Sequence, residues 1–77
     1  MGEDVAKKHG LKPMGRILSF ADTEVDPMDF CIAPAKAIQI ALGRIGKKIT
    51  DVDYHEINEA FAVTTLANMK VLSIDHE

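Results

Sequence analysis

Ala60-Phe61-Ala62-Val63-Thr64-Thr65-Leu66-Ala67-Asn68-Met69-Lys70-Val71-Leu72-Ser73-Ile74 is the stretch whose reading decides the fold. It predicts a helix, and Lys70 is its only charge. Its other polar side chains are Thr64, Thr65 and Asn68, with Ser73 near the end. A surface helix shows a polar face, whereas one apolar nearly all round belongs inside a large protein. A chain of 77 residues is too short to cover both sides of such a helix. The mismatch predicts a fragment: one partial α/β domain over 1–77, strand–helix–strand–helix, with incomplete layers.

Outward from that helix the elements are short. Val52 to Ile57 reads as a strand, preceded by a turn at Thr50 and Asp51. Pro34 suits the first turn of a helix reaching about Ile45. Ile38, Ala41, Leu42 and Ile45 give that helix its i, i+3, i+4, i+7 apolar stripe. Gly46 is a natural stop, with Arg44 in the last turn and Lys47 just beyond. Asp22 to Asp29 is polar, contains Pro27 and reads as a loop. Gly15 to Ala21, with Ile17, Leu18 and Phe20, reads as a buried strand. Val5 to His9 reads as a poorly capped helical turn stopped by Gly10 and Pro13.

Composition narrows the function. Nine Lys+Arg against twelve Asp+Glu give a net charge of −3, and no basic stripe is present to release counterions from nucleic acid. The same balance disfavours an anionic membrane surface. No apolar run reaches the length of a membrane span, and no presequence or acylation pattern stands at Met1-Gly2-Glu3-Asp4. Aromatic residues make up 5% of the chain, so the core must be aliphatic. A single cysteine excludes an internal disulfide and fits a reducing compartment.

Most candidate chemistry dissolves on inspection. His9, Cys31, His55 and His76 lack zinc-ligand spacing. Asp22-Thr23-Glu24-Val25-Asp26 opens like a calcium loop, but Pro27 stands where that loop needs glycine. Asp51 and Asp53 read as solvated carboxylates beside Lys47 and Lys48. Cys31, between Phe30 and Ile32, reads as an inert buried residue rather than a nucleophile. Asn58, where a strand feeds the apolar helix, has two readings. It caps that helix, or it offers its amide toward a developing oxyanion.

At His55-Glu56-Ile57-Asn58-Glu59-Ala60-Phe61-Ala62 the chain resembles the Glu-x-Asn-Glu-Ala-Phe signature of the thiolase family. Gly10-Leu11-Lys12-Pro13-Met14-Gly15-Arg16-Ile17 resembles a strand of the same family. Val25-Asp26-Pro27 and Ile32-Ala33-Pro34-Ala35 resemble another of its segments. Phe20-Ala21-Asp22 with Asp29-Phe30-Cys31-Ile32-Ala33-Pro34 is most similar to the mitochondrial acetyl-CoA acetyltransferase branch. The resemblance runs from about Val5 to Glu77 and places the chain at the opening of the C-terminal half.

The resemblance implies an enzyme that makes or cleaves a carbon–carbon bond between acetyl-CoA and acetoacetyl-CoA. Coenzyme A thioesters enter as substrates, and no cofactor is implied. The parent is a homo-oligomer, mitochondrial by resemblance and otherwise cytoplasmic, with no nucleic-acid or membrane partner. Asn58 matches the motif asparagine holding a water that helps bind the thioester oxygen. Ala60 and Phe61 match residues lining the acyl and pantetheine pocket, and Phe30 falls where a bulky apolar residue packs on the thioester. The nucleophilic cysteine, the Gly-His-Pro histidine and the second, proton-moving cysteine have no counterpart here. Cys31 and His55 match none of them, so the chain alone is expected to be inactive. The alternative is a non-catalytic interaction module. Its apolar C-terminal helix, with Phe61, Val63, Leu66, Met69, Val71 and Leu72, would bind a partner or make the chain self-associate.

Overall fold

Each α-helix among the described residues stops in the same way. α1 (Glu3–Lys8) ends with Gly10 at φ +62°, the Leu11 N–H donating to the Ala6 carbonyl at 2.9 Å and the Gly10 N–H to Lys7 at 3.1 Å. α2 (Ala33–Arg44) repeats this six-to-one, five-to-two pattern. Gly46 sits at φ +64°, Lys47 N–H reaches Leu42 at 3.0 Å and Gly46 N–H reaches Gly43 at 3.2 Å. Glycine takes the left-handed position without a Cβ penalty. α3 (Ala62–Leu72) uses the same pair of bonds, Ile74 to Met69 at 2.9 Å and Ser73 to Lys70 at 3.4 Å. Here Ser73 takes the left-handed conformation, at φ 55°, which costs roughly 1–2 kcal/mol for a side-chain-bearing residue.

This computed structural model describes residues 1–75; His76 lies outside the described residues. A 3₁₀ helix (Pro27–Ile32) leads directly into α2, and a 3₁₀ turn (Ile49–Asp51) follows it. The first of these corrects the reading of Asp22 to Asp29 as a loop throughout. The Asp26 carboxylate accepts the Met28 N–H at 3.1 Å, and Pro27 has its φ preset for a helical first residue. The second 3₁₀ turn is closed by the Asp51 carboxylate, which accepts the Lys48 N–H at 2.8 Å.

Neither expected strand forms: among the described residues all regular structure is helical. A strand exists only beside another strand, and these segments have no partner. Gly15 to Ala21 lies on the surface, with Ile17 87% exposed. It is tied down by the Arg44 guanidinium, which donates to the Phe20 carbonyl. An exposed Arg16–Glu3 ion pair at 3.1 Å adds little. In Val52 to Ile57, half-buried His55 and Ile57 alternate with exposed Tyr54 and Glu56. The period of two is present without the ladder.

The interior is assembled around α3, which packs chiefly on the 3₁₀ helix Pro27–Ile32 and then on α2. Its inward stripe is Thr64, Asn68 and Leu72, spaced by four. Asn68 is fully buried, at 0% exposure, against the equally enclosed Ala35. Its Oδ1 accepts the Ala35 N–H at 2.7 Å, and its Nδ2 donates to the carbonyls of Cys31 and Thr64, each at 2.7 Å. Only one orientation of the amide meets one donor and two acceptors. No side chain of its own caps the start of α2. Ala33 N–H goes to Phe30, Pro34 has no N–H, and Ala35 N–H goes to α3. Asn68 therefore caps one helix from the middle of another.

The apolar stripe expected of α2 is half-buried at Ile38, Ala41, Leu42 and Ile45. The outer face of α3 stays open: Leu66 is 60% exposed, and Phe61, Val63 and Val71 are exposed as well. Leu72, expected on that face, is buried instead. The accessible surface is 6719 Å², against roughly 4600 Å² for a folded monomer of this mass. The radius of gyration, 15.3 Å, exceeds the roughly 11.5 Å of a compact chain of this length.

Two outcomes follow for the 77-residue chain. Ser73→Gly relieves the left-handed strain and stabilises the end of α3 by about 1 kcal/mol, read as a higher midpoint of helix melting by circular dichroism. Asn68→Ala leaves the Ala35 N–H unpaired at a cost of about 1–3 kcal/mol. The Ala35 amide then exchanges with deuterium roughly 10- to 100-fold faster, whereas an unchanged rate would mean the cap is not holding it.

Candidate functional site

Of the four residues expected to meet a thioester, one lies on a 3₁₀ helix and three on the backbone leading into α3. Phe30 projects from the 3₁₀ helix Pro27–Ile32, whose start is fixed by the Asp26 cap and Pro27. Phe61 is the cap residue immediately before α3. Their rings meet edge to face, with centroids 6.2 Å apart and planes at 71°. This arrangement contributes about 0.5–1.5 kcal/mol beyond burial. Both rings remain open to solvent, Phe30 at 52% and Phe61 at 59%, so together they form an apolar wall with a free face.

Asn58 and Ala60 precede Phe61 on the chain and are exposed. The reading of Asn58 as the helix cap is corrected here. α3 starts later, its cap position is Phe61, and no side chain caps it. Phe61 is extended, at φ −135° and ψ 143°. The approach from Asn58 to Phe61 is thus non-helical backbone, and Asn58 keeps its amide for another partner.

Cys31 is half-buried and free, less enclosed than its apolar neighbours imply. Its contribution to the structure is its carbonyl, which accepts from Asn68. A separate cleft of about 800 Å³ runs between 53–57 and α3, lined by His55, Glu56, Glu59, Thr65 and Met69 among others. None of Phe30, Asn58, Ala60 and Phe61 lines it, so this cleft and the expected thioester residues are different places. Thr64 Oγ1 and Thr65 Oγ1 are buried without a partner.

Asn68 is the residue that sequence patterning passes over. It counts there only as one of the few polar side chains in an apolar helix. The signal was present, because a lone amide in such a helix must find partners or cost its full desolvation. The sequence does not show that those partners lie 33 and 37 positions away.

Three comparisons bear on this geometry. The family model described as thiolase, C-terminal domain, matches residues 11–77. A probable acetyl-CoA acetyltransferase of Dictyostelium discoideum is 54% identical over 76 residues, 99% of this chain and 18% of the relative. The mitochondrial acetyl-CoA acetyltransferase of Homo sapiens is 45% identical over 75 residues, 97% of this chain and again 18% of the relative. Among solved structures, the Bacillus anthracis acetyl-CoA acetyltransferase superposes with a TM-score of 0.89 at 43% identity, over 97% of this chain and 19% of that one. The chain thus spans about a fifth of the length of the relatives it matches.

Proposed function

This chain belongs to the thiolase family, and from that footing we propose that it is the opening part of the C-terminal half of an acetyl-CoA acetyltransferase, supplying one wall of the thioester site. The observation that carries the proposal is the octet His55 to Ala62 inside a 76-residue match at 54% identity. Phe30 packs on the bound thioester, and Ala60 and Phe61 line the acyl and pantetheine passage; the ring contact between Phe30 and Phe61 supports one continuous surface. Asn58 holds a water against the thioester oxygen, where negative charge grows during carbon–carbon bond making or breaking. The release of Asn58 from capping supports that role. The whole protein is a homo-oligomer resident in the mitochondrion, in keeping with the mitochondrial relatives.

The 77 residues alone do not turn over substrate. Cys31 is their only cysteine, and the family chemistry uses two, one to take the acyl group and one to move the methyl proton. No Gly-His-Pro occurs among them. Purified chain is expected to leave acetoacetyl-CoA intact in a thiolysis assay with free coenzyme A. The positive test grafts residues 1–77 in place of the matching segment of the Dictyostelium discoideum relative. The graft is expected to be active, and Asn58→Ala in it to lower kcat by about 100-fold. An inactive graft, or an Asn58→Ala graft with full activity, would refute the assignment.

The open outer face of α3 favours a second reading, in which copies of this chain associate through Phe61, Val63, Leu66 and Val71. Sedimentation velocity across a concentration series is expected to show mass above the monomer, and Leu66→Lys to shift it back. A monomer at all concentrations would remove that reading.

A further inference from the structure

Asn68 forms no hydrogen bond with a residue expected to meet substrate, yet two of its three hydrogen bonds end on either side of the junction between α2 and the 3₁₀ helix that carries Phe30. Nδ2 donates to the carbonyl of Cys31, the next residue after Phe30, at 2.7 Å. Oδ1 accepts the N–H of Ala35, in the first turn of α2, at 2.7 Å. Between these two points the Ala33 N–H donates to the Phe30 carbonyl. The junction of the 3₁₀ helix with α2 is therefore held on both sides by one amide.

That amide belongs to the helix that Phe61 opens. Its third bond, from Nδ2 to the Thr64 carbonyl at 2.7 Å, anchors it to the first turn of α3, and Thr64 N–H in turn donates to the Phe61 carbonyl at 2.9 Å. A connected path of hydrogen bonds thus runs from the backbone of Phe30 through Asn68 to the backbone of Phe61. The ring contact closes the loop. Both rings are more than half exposed, so packing alone does not fix their relative position.

We propose that Asn68 is a positioning residue which sets the spacing of the Phe30–Phe61 wall and thereby the affinity for the acyl-CoA thioester. The proposal rests on the reading of Phe30 and Phe61 as that wall. It adds that the register between the 3₁₀ helix and α3, which a buried side-chain amide fixes, tunes substrate binding from a distance. An effect of this kind falls on ground-state binding and so on KM, with kcat largely unmoved.

The test is a double-substitution cycle in the active graft, with acetoacetyl-CoA as the substrate. Asn68→Leu, similar in size and without hydrogen bonds, is expected to raise KM about tenfold with kcat within about twofold. Phe30→Ala is expected to raise KM on its own. In the Phe30→Ala background Asn68→Leu should then add little, because the ring through which it acts is gone. If Asn68→Leu does not accumulate as folded protein, Asn68→Ser serves. It is uncharged and its short hydroxyl cannot span all three partners, and KM should rise about threefold, again only when Phe30 is present. Independent KM effects, or a fall in kcat at unchanged KM, would overturn the positioning role alone. A Phe30→Ala graft with unaltered KM would overturn the reading of the wall beneath it.

Discussion

One buried amide orders this chain. Asn68 is enclosed completely and meets one N–H and two carbonyls, each at 2.7 Å. Inside a protein such bonds are worth more than in water, and their loss costs correspondingly more. The apolar interior is small: Ala6, Ala35 and Leu72 are its buried hydrophobic members. With so little apolar surface enclosed, the relative placement of α2, α3 and the 3₁₀ helix depends on directional bonds more than on packing. That explains why α3 turns the Asn68 amide inward while Leu66 faces water.

The family likeness and the helical end of the sequence reading rest on local signals, and these survive. Pro34 starts α2 within a residue of expectation, and Gly46 and Gly10 stop α2 and α1 because only a residue without a Cβ takes a positive φ cheaply. The octet around Asn58 is likewise a contiguous string, and the thiolase match over residues 11–77 contains it. The features that were illegible are those that depend on distant partners. Gly15 to Ala21 has the residue types of a strand, but pairing is a property of two segments, and among the described residues no second segment pairs with it. Asn58 has a good capping side chain, but the cap position of α3 lies three residues later, at Phe61.

The candidate site divides along the same line. Resemblance points to Phe30, Ala60 and Phe61, and the structure puts two of them, Phe30 and Phe61, in contact. The 3₁₀ helix that carries Phe30 was missed even though Asp26-Pro27 is a strong start signal. The polar character of the surrounding stretch masked it. Asn68 was missed for a deeper reason. Periodicity ranks residues by the face they share, and an amide that bonds across 33 and 37 positions leaves no periodic trace.

Every atom that the Asn68 amide hydrogen-bonds is main chain. Neither the thiol of Cys31 nor the hydroxyl of Thr64 takes part in its three bonds. Evolutionary drift at position 31 can therefore swap the side chain's chemistry freely, because any residue presents the same carbonyl there. Position 35 must be small and keep its N–H, which excludes proline there. The whole mutational burden of the junction falls on position 68, where neither a smaller residue nor a hydrophobic isostere offers an acceptor and two donors at once.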